Sequence, residues 1–315
     1  MTISPPKPSP AVPATAGSAQ LEAGATATPH LNRVRLEPRK GWQAIDFTEL
    51  WRYRELIGFL ALRDIKVRYK QTALGAAWAI IQPVMNSVVF TLFFNKLAGV
   101  GGKDPLYFVE TFCATLPWQL FENSLTQSGN SLVSSQNLIT KVYFPRLTIP
   151  ISSILSGVLD FAIGLGLLLL ILIGYRLAGH PEVTPGWPVL VFPLFVLMAL
   201  VLSLGMGLWL SALNVRYRDV RYTIPFLLRL WFFATPVAYP IATVTAKLSP
   251  PMKFLYGLNP MVGIVEGFRW SMLGGDPKVA APGIMLAASA LATVLLLVSG
   301  LYYFRRMEQT FADIV

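Results

Sequence analysis

Residues Arg63–Val84, RDIKVRYKQTALGAAWAIIQPV, place four basic side chains directly before a long apolar run. The run from Leu74 to Phe94 is uncharged and 21 residues long, and about 20 apolar helical residues cross the hydrocarbon core of a bilayer. A basic cluster at one end of a membrane helix marks that end as cytoplasmic. The stretch therefore predicts a membrane-spanning helix over 74–94 that starts on the inside.

This predicted helix contains polar and helix-breaking residues, namely Gln82, Pro83 and Asn86. A membrane helix tolerates such residues where neighbouring helices or water satisfy the freed backbone groups. We therefore expect the helix to face protein or a polar path rather than lipid.

The composition indicates a polytopic membrane protein. Hydrophobic residues make up 54% of the chain and charged residues 13%, with a mean hydropathy of +0.55, whereas a soluble domain has about 25% charged residues. The net charge is +10, but the basic residues lie at the ends of apolar runs. That placement is typical of topology determinants and of attraction to anionic lipid rather than of nucleic-acid binding. The single cysteine leaves no internal disulfide to form, and we expect no metal site.

Two segments precede the first predicted span. Residues 1–44 are rich in Pro, Ala, Ser, Thr and Gly and predict a disordered cytoplasmic tail. Residues 45–62 predict an amphipathic helix, because Asp46 and Glu49 have the spacing of a helix-start capping pair. Trp51 and the neighbouring arginines suit the headgroup layer. This favours a helix in the cytoplasmic interface over one packed on a soluble partner.

Hydropathy predicts five further spans, at about 107–128, 149–175, 189–213, 223–239 and 279–304. Residues 261–273 are mostly apolar but too short to span, which indicates a re-entrant or interfacial segment. With the N-terminus inside, thirteen lysines and arginines fall on inside segments and seven on outside segments.

The predicted fold class is an all-α polytopic membrane protein with six transmembrane helices over 63–306. An N-terminal cytoplasmic interface helix precedes them, and short re-entrant helices lie between spans 5 and 6. A cytoplasmic tail over 307–315 ends the chain.

The sequence lacks the common motifs of hydrolytic catalysis. The only Gly-Lys pair, Gly102-Lys103, is followed by Asp104, so the phosphate-binding loop pattern of nucleotide hydrolases is missing. Neither a G-x-S-x-G elbow nor an H-E-x-x-H zinc pattern is present. ATP-driven transport would therefore need a separate ATPase subunit, and we expect no catalytic residue here.

Five stretches in order resemble the polysaccharide-type ABC exporter permeases, the ABC-2 membrane subunits that export O-antigen, capsule and teichoic acid. They are VRYKQTALGAAWAIIQPV (67–84), NLITKVYFP (137–145), SALNVRYRDV (211–220), WFFATPVAYP (231–240) and NPMVGIVEGFRWSML (259–273). The resemblance covers about residues 46–306. The chain departs from the family pattern in its Pro/Ala-rich tail and at Ala73.

The resemblance implies a transporter subunit rather than an enzyme, located in the bacterial inner membrane with both termini cytoplasmic. It implies a homodimer joined to two ABC ATP-binding subunits, which hold ATP and Mg, while this chain carries no cofactor. The implied substrate is a lipid-linked glycan that passes through a channel between the two permease copies. An ABC-2 permease for a small hydrophobic or drug-like substrate is the alternative within the family. A membrane-embedded enzyme or ion-coupled carrier has no support from acidic pairs, metal motifs or internal repeats.

The family also implies positions for the site residues. Its ATPase contacts fall here on the interface helix and on the loop after the second span, at Glu49, Arg52, Glu55, Gln136, Asn137, Lys141 and Tyr143. Lys141 and Arg146 are also expected as simple topology determinants. The candidate substrate channel comprises Trp78, Phe90, Trp118, Phe121, Phe226, Arg229, Trp231, Phe232, Phe233 and Tyr239. Flat aromatic faces suit the C–H faces of sugars, although interface belts and helix packing also use them.

Charges at membrane depth mark functional sites. Asp160 and Arg229 are the candidates, and two roles stay open for Arg229: pairing with Asp160, or contact with the phosphates of a lipid-linked substrate. Glu266 and Arg269 are spaced i, i+3, which predicts a local ion pair.

Overall fold

A computed structural model of the chain describes residues 47–70, 75–97, 99, 106–180, 185–246, 248–274, 281–308 and 311. The predicted tail over 1–44, the predicted cap Asp46, Ala73 and most of 307–315 lie outside these residues. Every regular element in the described ranges is helical. An all-α fold is confirmed.

Twelve α-helices are found in the described ranges: α1 (Phe47–Arg52), α2 (Arg54–Lys70), α3 (Trp78–Phe90), α4 (Tyr107–Ser134), α5 (Gln136–Lys141), α6 (Thr148–Leu177), α7 (Phe192–Arg216), α8 (Val220–Ala234), α9 (Ile241–Thr245), α10 (Pro250–Gly257), α11 (Pro260–Leu273) and α12 (Gly283–Glu308). A 3-10 turn, Gly75–Ala77, leads into α3, and a π-helical segment, Thr91–Leu97, extends it. A second 3-10 turn, Trp187–Val191, leads into α7.

Four of the described helices are long and apolar enough to cross a membrane: Trp78–Leu97, Thr148–Leu177, Trp187–Arg216 and Gly283–Glu308. They correspond to the predicted spans 1, 3, 4 and 6. Helices α4 and α8, which correspond to spans 2 and 5, are outside this group. Glu110 and Glu122 make α4 more polar, and α8 has only 15 residues.

Helix α8 ends five residues before the predicted end of span 5. Thr235 adopts an extended backbone, with φ −107° and ψ 140°, because the proline at 236 disfavours a helical conformation at the residue before it. The last helix also starts later than predicted, since Ala281 and Pro282 precede it in a non-helical conformation.

Helix α4 is the centre of the bundle. It packs most extensively against α7 and α6 and also contacts α3, α8 and α11. Its Phe112, Trp118 and Phe121 side chains are fully buried. Since other helices surround α4, its polar groups are kept away from the lipid-facing surface of the bundle.

The contacts along these helices give their relative directions. Leu116 of α4 lies beside Gly164 of α6, and Ser124 lies beside Gly157, so the two helices run antiparallel. Helix α8 also runs antiparallel to α4, because Ile224 contacts Gly129 whereas Trp231, later in α8, packs on the earlier residue Phe121.

Helix α2 is longer than the predicted interface helix, which was expected to end near residue 62. A turn at Tyr53 separates it from α1, and the helix then continues through the basic cluster to Lys70. It packs along α6 and buries Ile57, Leu60 and Ala61. The extension is stabilised by contacts between its last turn and α6.

Helix α11, the predicted re-entrant segment, is buried along nearly its whole length. The predicted ion pair between Glu266 and Arg269 is confirmed, and each side chain is only 6% exposed. Arg269 also donates hydrogen bonds to the backbone oxygens of Glu110 (3.3 Å) and Pro236 (3.0 Å). One guanidinium therefore connects α11 to the start of α4 and to the turn after α8.

Candidate functional site

Aromatic rings from α3, α4 and α8 form one continuous cluster. Phe90 stacks on Phe232 at a centroid distance of 5.2 Å, and Phe232 in turn packs edge-on against Trp118 at 5.3 Å. Phe121 packs on Trp231 at 5.1 Å. Six candidate channel residues therefore meet here, together with Phe94, which sequence reasoning missed; the members are Phe90, Phe94, Trp118, Phe121, Trp231, Phe232 and Phe233.

The members of this aromatic cluster differ in accessibility. Trp118 and Phe121 are buried and form its inner layer, whereas Phe233 is exposed. The indole N–H of Trp231 donates to Asn259 Oδ1 at 2.8 Å, and the same oxygen accepts from the backbone N–H of Met261 at the start of α11. The cluster is thus fixed to the buried α11, and its outer rings lie on an accessible face.

The remaining candidate channel residues lie outside the aromatic cluster. Phe226 and Arg229 are exposed on α8. The Tyr239 hydroxyl donates to the Phe233 oxygen at 3.1 Å and lies 3.3 Å from the Tyr256 hydroxyl. Trp78 lies at the other end of α3, where it lines a separate cavity.

That cavity lies between α2, α3, α4 and α6 and has a volume of about 390 Å³. Carboxamides supply much of its polar lining. The lining residues whose side chains carry a polar group are Arg68, Tyr69, Trp78, Gln82, Gln119, Asn123, Gln127 and Asp160. Sequence reasoning missed the three on α4, although Gln119, Asn123 and Gln127 recur every four residues and so share one helix face.

Asp160 is bound at the edge of this cavity by the end of α2, an arrangement we call the Asp160 clasp (Arg68, Tyr69 and Asp160). The Arg68 guanidinium and the Tyr69 hydroxyl both donate to the Asp160 carboxylate. Arg68 also donates to Ser156 Oγ at 3.2 Å. Pairing of Asp160 with Arg229 is therefore a wrong prediction: the unexpected length of α2 brings a nearer arginine to the carboxylate.

The Tyr69 phenol remains protonated at physiological pH. Burial, followed by the hydrogen bond to Asp160, raises the pKa of Tyr69 from 10.0 to about 12. A neutral phenol can donate a hydrogen bond, and a hydrogen bond to a carboxylate is stronger than one to a neutral acceptor. The Tyr69 phenol therefore remains a hydrogen-bond donor to Asp160 across the physiological range.

The candidate coupling residues lie on two accessible surfaces. Arg52 and Glu55 are exposed near the start of α2, and Glu49 is half-buried on α1. On and after α5, the exposed candidates are Gln136, Asn137, Lys141 and Tyr143, with Tyr143 75% exposed.

The segment after α5 is anchored by Phe144 and Arg146. The neighbouring Phe144 is buried, which leaves Tyr143 projecting from a fixed backbone. Arg146 donates to the backbone oxygen of Glu308 at the end of α12 and lies over the Phe311 ring. Phe311 packs on Phe304 at 5.4 Å. Arg146 thus has a structural contact in addition to its positive charge.

Comparisons with known proteins identify relatives of this chain. The family model for the ABC-2 type transporter matches residues 55–273. An O-antigen export system permease protein of Myxococcus xanthus is 31% identical over 83% of this chain and 96% of its own length. A Klebsiella pneumoniae protein of the same description is 25% identical over 83% of this chain and 95% of its own length.

A third relative, the polysialic acid transport protein of Escherichia coli, is 24% identical over 79% of this chain and 92% of its own length. The matched region contains the aromatic cluster, the cavity and the Asp160 clasp. The chain belongs to the ABC-2 type transporter family.

Proposed function

We propose that this chain is the transmembrane subunit of an ATP-driven exporter that moves a lipid-linked, O-antigen-like polysaccharide across the bacterial inner membrane. The observation that carries the proposal is the 31% identity to an O-antigen export permease over 96% of that protein. Family membership and the missing phosphate-binding loop motif support a separate subunit that binds ATP and Mg.

Six spans with both termini inside are the proposed topology. Helix α4 has 28 residues and is about 42 Å long at 1.5 Å per residue, enough to cross a bilayer. Helix α8 and the turn after it would form the fifth span. The antiparallel packing of α6 and α8 against α4 is the arrangement that six alternating spans require, and the lysine and arginine bias supports the orientation.

The proposed channel lies between two copies of the chain, along the outer faces of α3 and α8. Among the four apolar membrane-length helices, Trp78–Leu97 is the least buried within the single chain. Its neighbour α8 exposes Phe226, Arg229 and Phe233. A second copy would enclose these faces, and Arg229 would meet the phosphates of the lipid carrier. Helices α9–α11 would form the re-entrant segment at the outer side.

Aromatic rings on such a path favour a glycan over a small apolar substrate. Their flat faces contact the C–H faces of successive sugars without fixing one hydrogen-bond geometry, so a polymer can slide past them. Buried Trp118 and Phe121 would support the accessible rings from behind.

The test is reconstitution of the chain with its ATPase subunit in proteoliposomes. Lipid-linked glycan on the ATPase side is expected to stimulate ATP turnover and to appear in the lumen. Stimulation by small amphiphiles with no response to glycan would instead establish the drug-like alternative. Transport that follows a proton or sodium gradient without ATP would contradict both.

A further inference from the structure

We propose that the cavity between α2, α3, α4 and α6 is a binding site for a single uncharged sugar ring. The inference rests on the proposed function and adds a subsite to it, distinct from the aromatic cluster. Its residues come from four helices of one chain, so the site is complete without a second copy.

Among the described residues, the cavity offers hydrogen-bonding groups that make no other hydrogen bond. In the described part of the chain, the carboxamides of Gln82, Gln119 and Asn123 have no hydrogen-bond partner, and neither has the indole N–H of Trp78. Gln127 is the exception, since its Oε1 accepts from Ser156 Oγ at 3.1 Å. A carboxamide both donates and accepts, as a sugar hydroxyl does. The cavity therefore offers several unused groups of the matching kind.

The charge balance of the lining argues against an ionic ligand. Among the described residues that line it, the one cation, Arg68, is paired with the one carboxylate, Asp160. A phosphate would need an unpaired cation, and a metal ion would need more than one carboxylate or another anionic ligand. A neutral polar molecule is the class that such a lining accepts.

Size and shape agree with a sugar ring. A volume of about 390 Å³ falls within the roughly 300–1,000 Å³ range of small-molecule sites. Trp78 adds a flat ring face next to the carboxamides.

The cavity also connects a ligand to α2. Arg68 and Tyr69 line it while they hold Asp160 in the clasp. A bound sugar would therefore contact α2, α3 and α4 together.

The test measures sugar binding to the full chain in lipid nanodiscs by saturation-transfer-difference NMR. The probes are glucose, galactose, rhamnose and N-acetylglucosamine. At least one sugar is expected to receive saturation. The double variant Gln119→Leu/Asn123→Leu should weaken its apparent Kd by about ten-fold or more, because two hydrogen bonds are lost. Ala79→Trp, which fills the cavity and leaves the carboxamides in place, should weaken binding as well.

The matched control is Asn86→Leu, a carboxamide on α3 that does not line the cavity, and it should leave the Kd unchanged. Folding of each variant is checked with a thiol reagent, which should not react with Cys113 while that residue is buried in the bundle. Absence of saturation transfer to every sugar, or equal binding by glycerol, would overturn the inference.

Cellular export of glycan separates this inference from the proposed function. If the wild-type chain exports glycan but binds no sugar in the cavity, the inference is refuted and the proposed function stands. Sugar binding in the cavity by a chain that exports no glycan refutes the proposed function alone.

Discussion

Asp160 shows how a single residue connects two parts of the molecule. It lies in the thirteenth position of α6, roughly 18 Å along the helix from its start at 1.5 Å per residue. A carboxylate at such depth is costly unless it is paired. Its partners come from α2, which precedes the first span, so the charge fixes the end of α2 to a membrane helix.

The first prediction concerns the ion pair between Arg68 and Asp160, whose side chains are 27% and 16% exposed. Arg68→Gln and Asp160→Asn should each destabilise the fold, and the double variant should be little worse than either. The expected coupling is about 1–3 kcal/mol, because the residues touch and are mostly removed from water. Thermal unfolding in nanodiscs measures it as a double-mutant cycle.

The control for this cycle is a more accessible pair of sequence neighbours, Arg63 and Asp64, whose side chains are 41% and 22% exposed. Asp64→Asn should change stability by less than about 0.5 kcal/mol, since an ion pair that is more open to solvent contributes less. Additive effects at 68 and 160 would show that the Asp160 clasp contributes no coupling.

The second prediction concerns Tyr69. Its folded pKa of about 12 exceeds the ordinary value of 10.0, so its contribution is complete below pH 10 and is lost as the pH rises through 12. Tyr69→Phe should therefore cost about 1–2 kcal/mol, the loss of a hydrogen bond to a carboxylate, and this cost should be the same at pH 6 and pH 9. A cost that disappears by pH 9 would mean that the phenol already ionises there.

At the scale of elements, α7 and α12 are in backbone contact. A Cβ added at Gly300 would overlap the carbonyl oxygen of Gly205, and a Cβ added at Gly205 would lie 2.7 Å from Leu297 Cα. Small residues permit this close approach, as in other membrane-helix pairs. Trp209 stacks on Tyr303 at 4.3 Å one turn further along, which extends the same contact.

The third prediction is that Gly300→Ala destabilises the bundle by about 2 kcal/mol or more, because backbone atoms cannot move aside as side chains do. The matched control is Gly166→Ala on α6, where an added Cβ meets nothing within 4 Å. That change should be neutral or stabilising by roughly 0.5–1 kcal/mol. The unfolding temperature of each variant is measured with a thiol-reactive dye, which reports when buried Cys113 becomes exposed on heating. Equal unfolding temperatures for the two variants would contradict the backbone contact.

Uninterrupted apolar runs and pairs within one helix could be predicted from the sequence, whereas contacts between residues far apart in the chain could not. The span predicted at 149–175 is a helix at Thr148–Leu177, because its composition alone determines a membrane-length helix. The Glu266–Arg269 pair follows from i, i+3 spacing. The pairing of Arg68 with Asp160 joins residues 92 positions apart, and no local pattern encodes such a contact. The missed cavity has the same origin, since it needs residues from four helices.

At the scale of the whole molecule, we propose that an ATPase subunit acts on the bundle at the surface after α5. Tyr143 is exposed, while its neighbour Phe144 is buried and Arg146 holds the end of α12. A force on this surface would therefore reach α6 and α12 as a rigid-body shift.

The fourth prediction is that Lys141→Ala/Tyr143→Ala leaves basal ATP hydrolysis by the complex unchanged but reduces its stimulation by glycan about five-fold or more, the size of a typical coupling free energy. ATPase assays with and without lipid-linked glycan measure both quantities. Lys253→Ala on α10 is the control and should keep full stimulation. If glycan still fully stimulates ATP hydrolysis in the double variant, Lys141 serves only to set the topology.

The fifth prediction tests which face of the molecule meets a second copy. Phe93 and Phe233 are 59% and 61% exposed, and Leu170 on α6 is similarly exposed at 66%. In a two-fold symmetric dimer, residues near the axis approach their own counterparts. In a chain whose native Cys113 is replaced by Ala, single cysteines at 93 or 233 should therefore cross-link to dimers with short bis-maleimides in membranes, and a cysteine at 170 should not. Dimers from position 170 alone would move the interface to α6 and leave the aromatic cluster facing lipid. That result would refute a channel between two copies along the outer faces of α3 and α8.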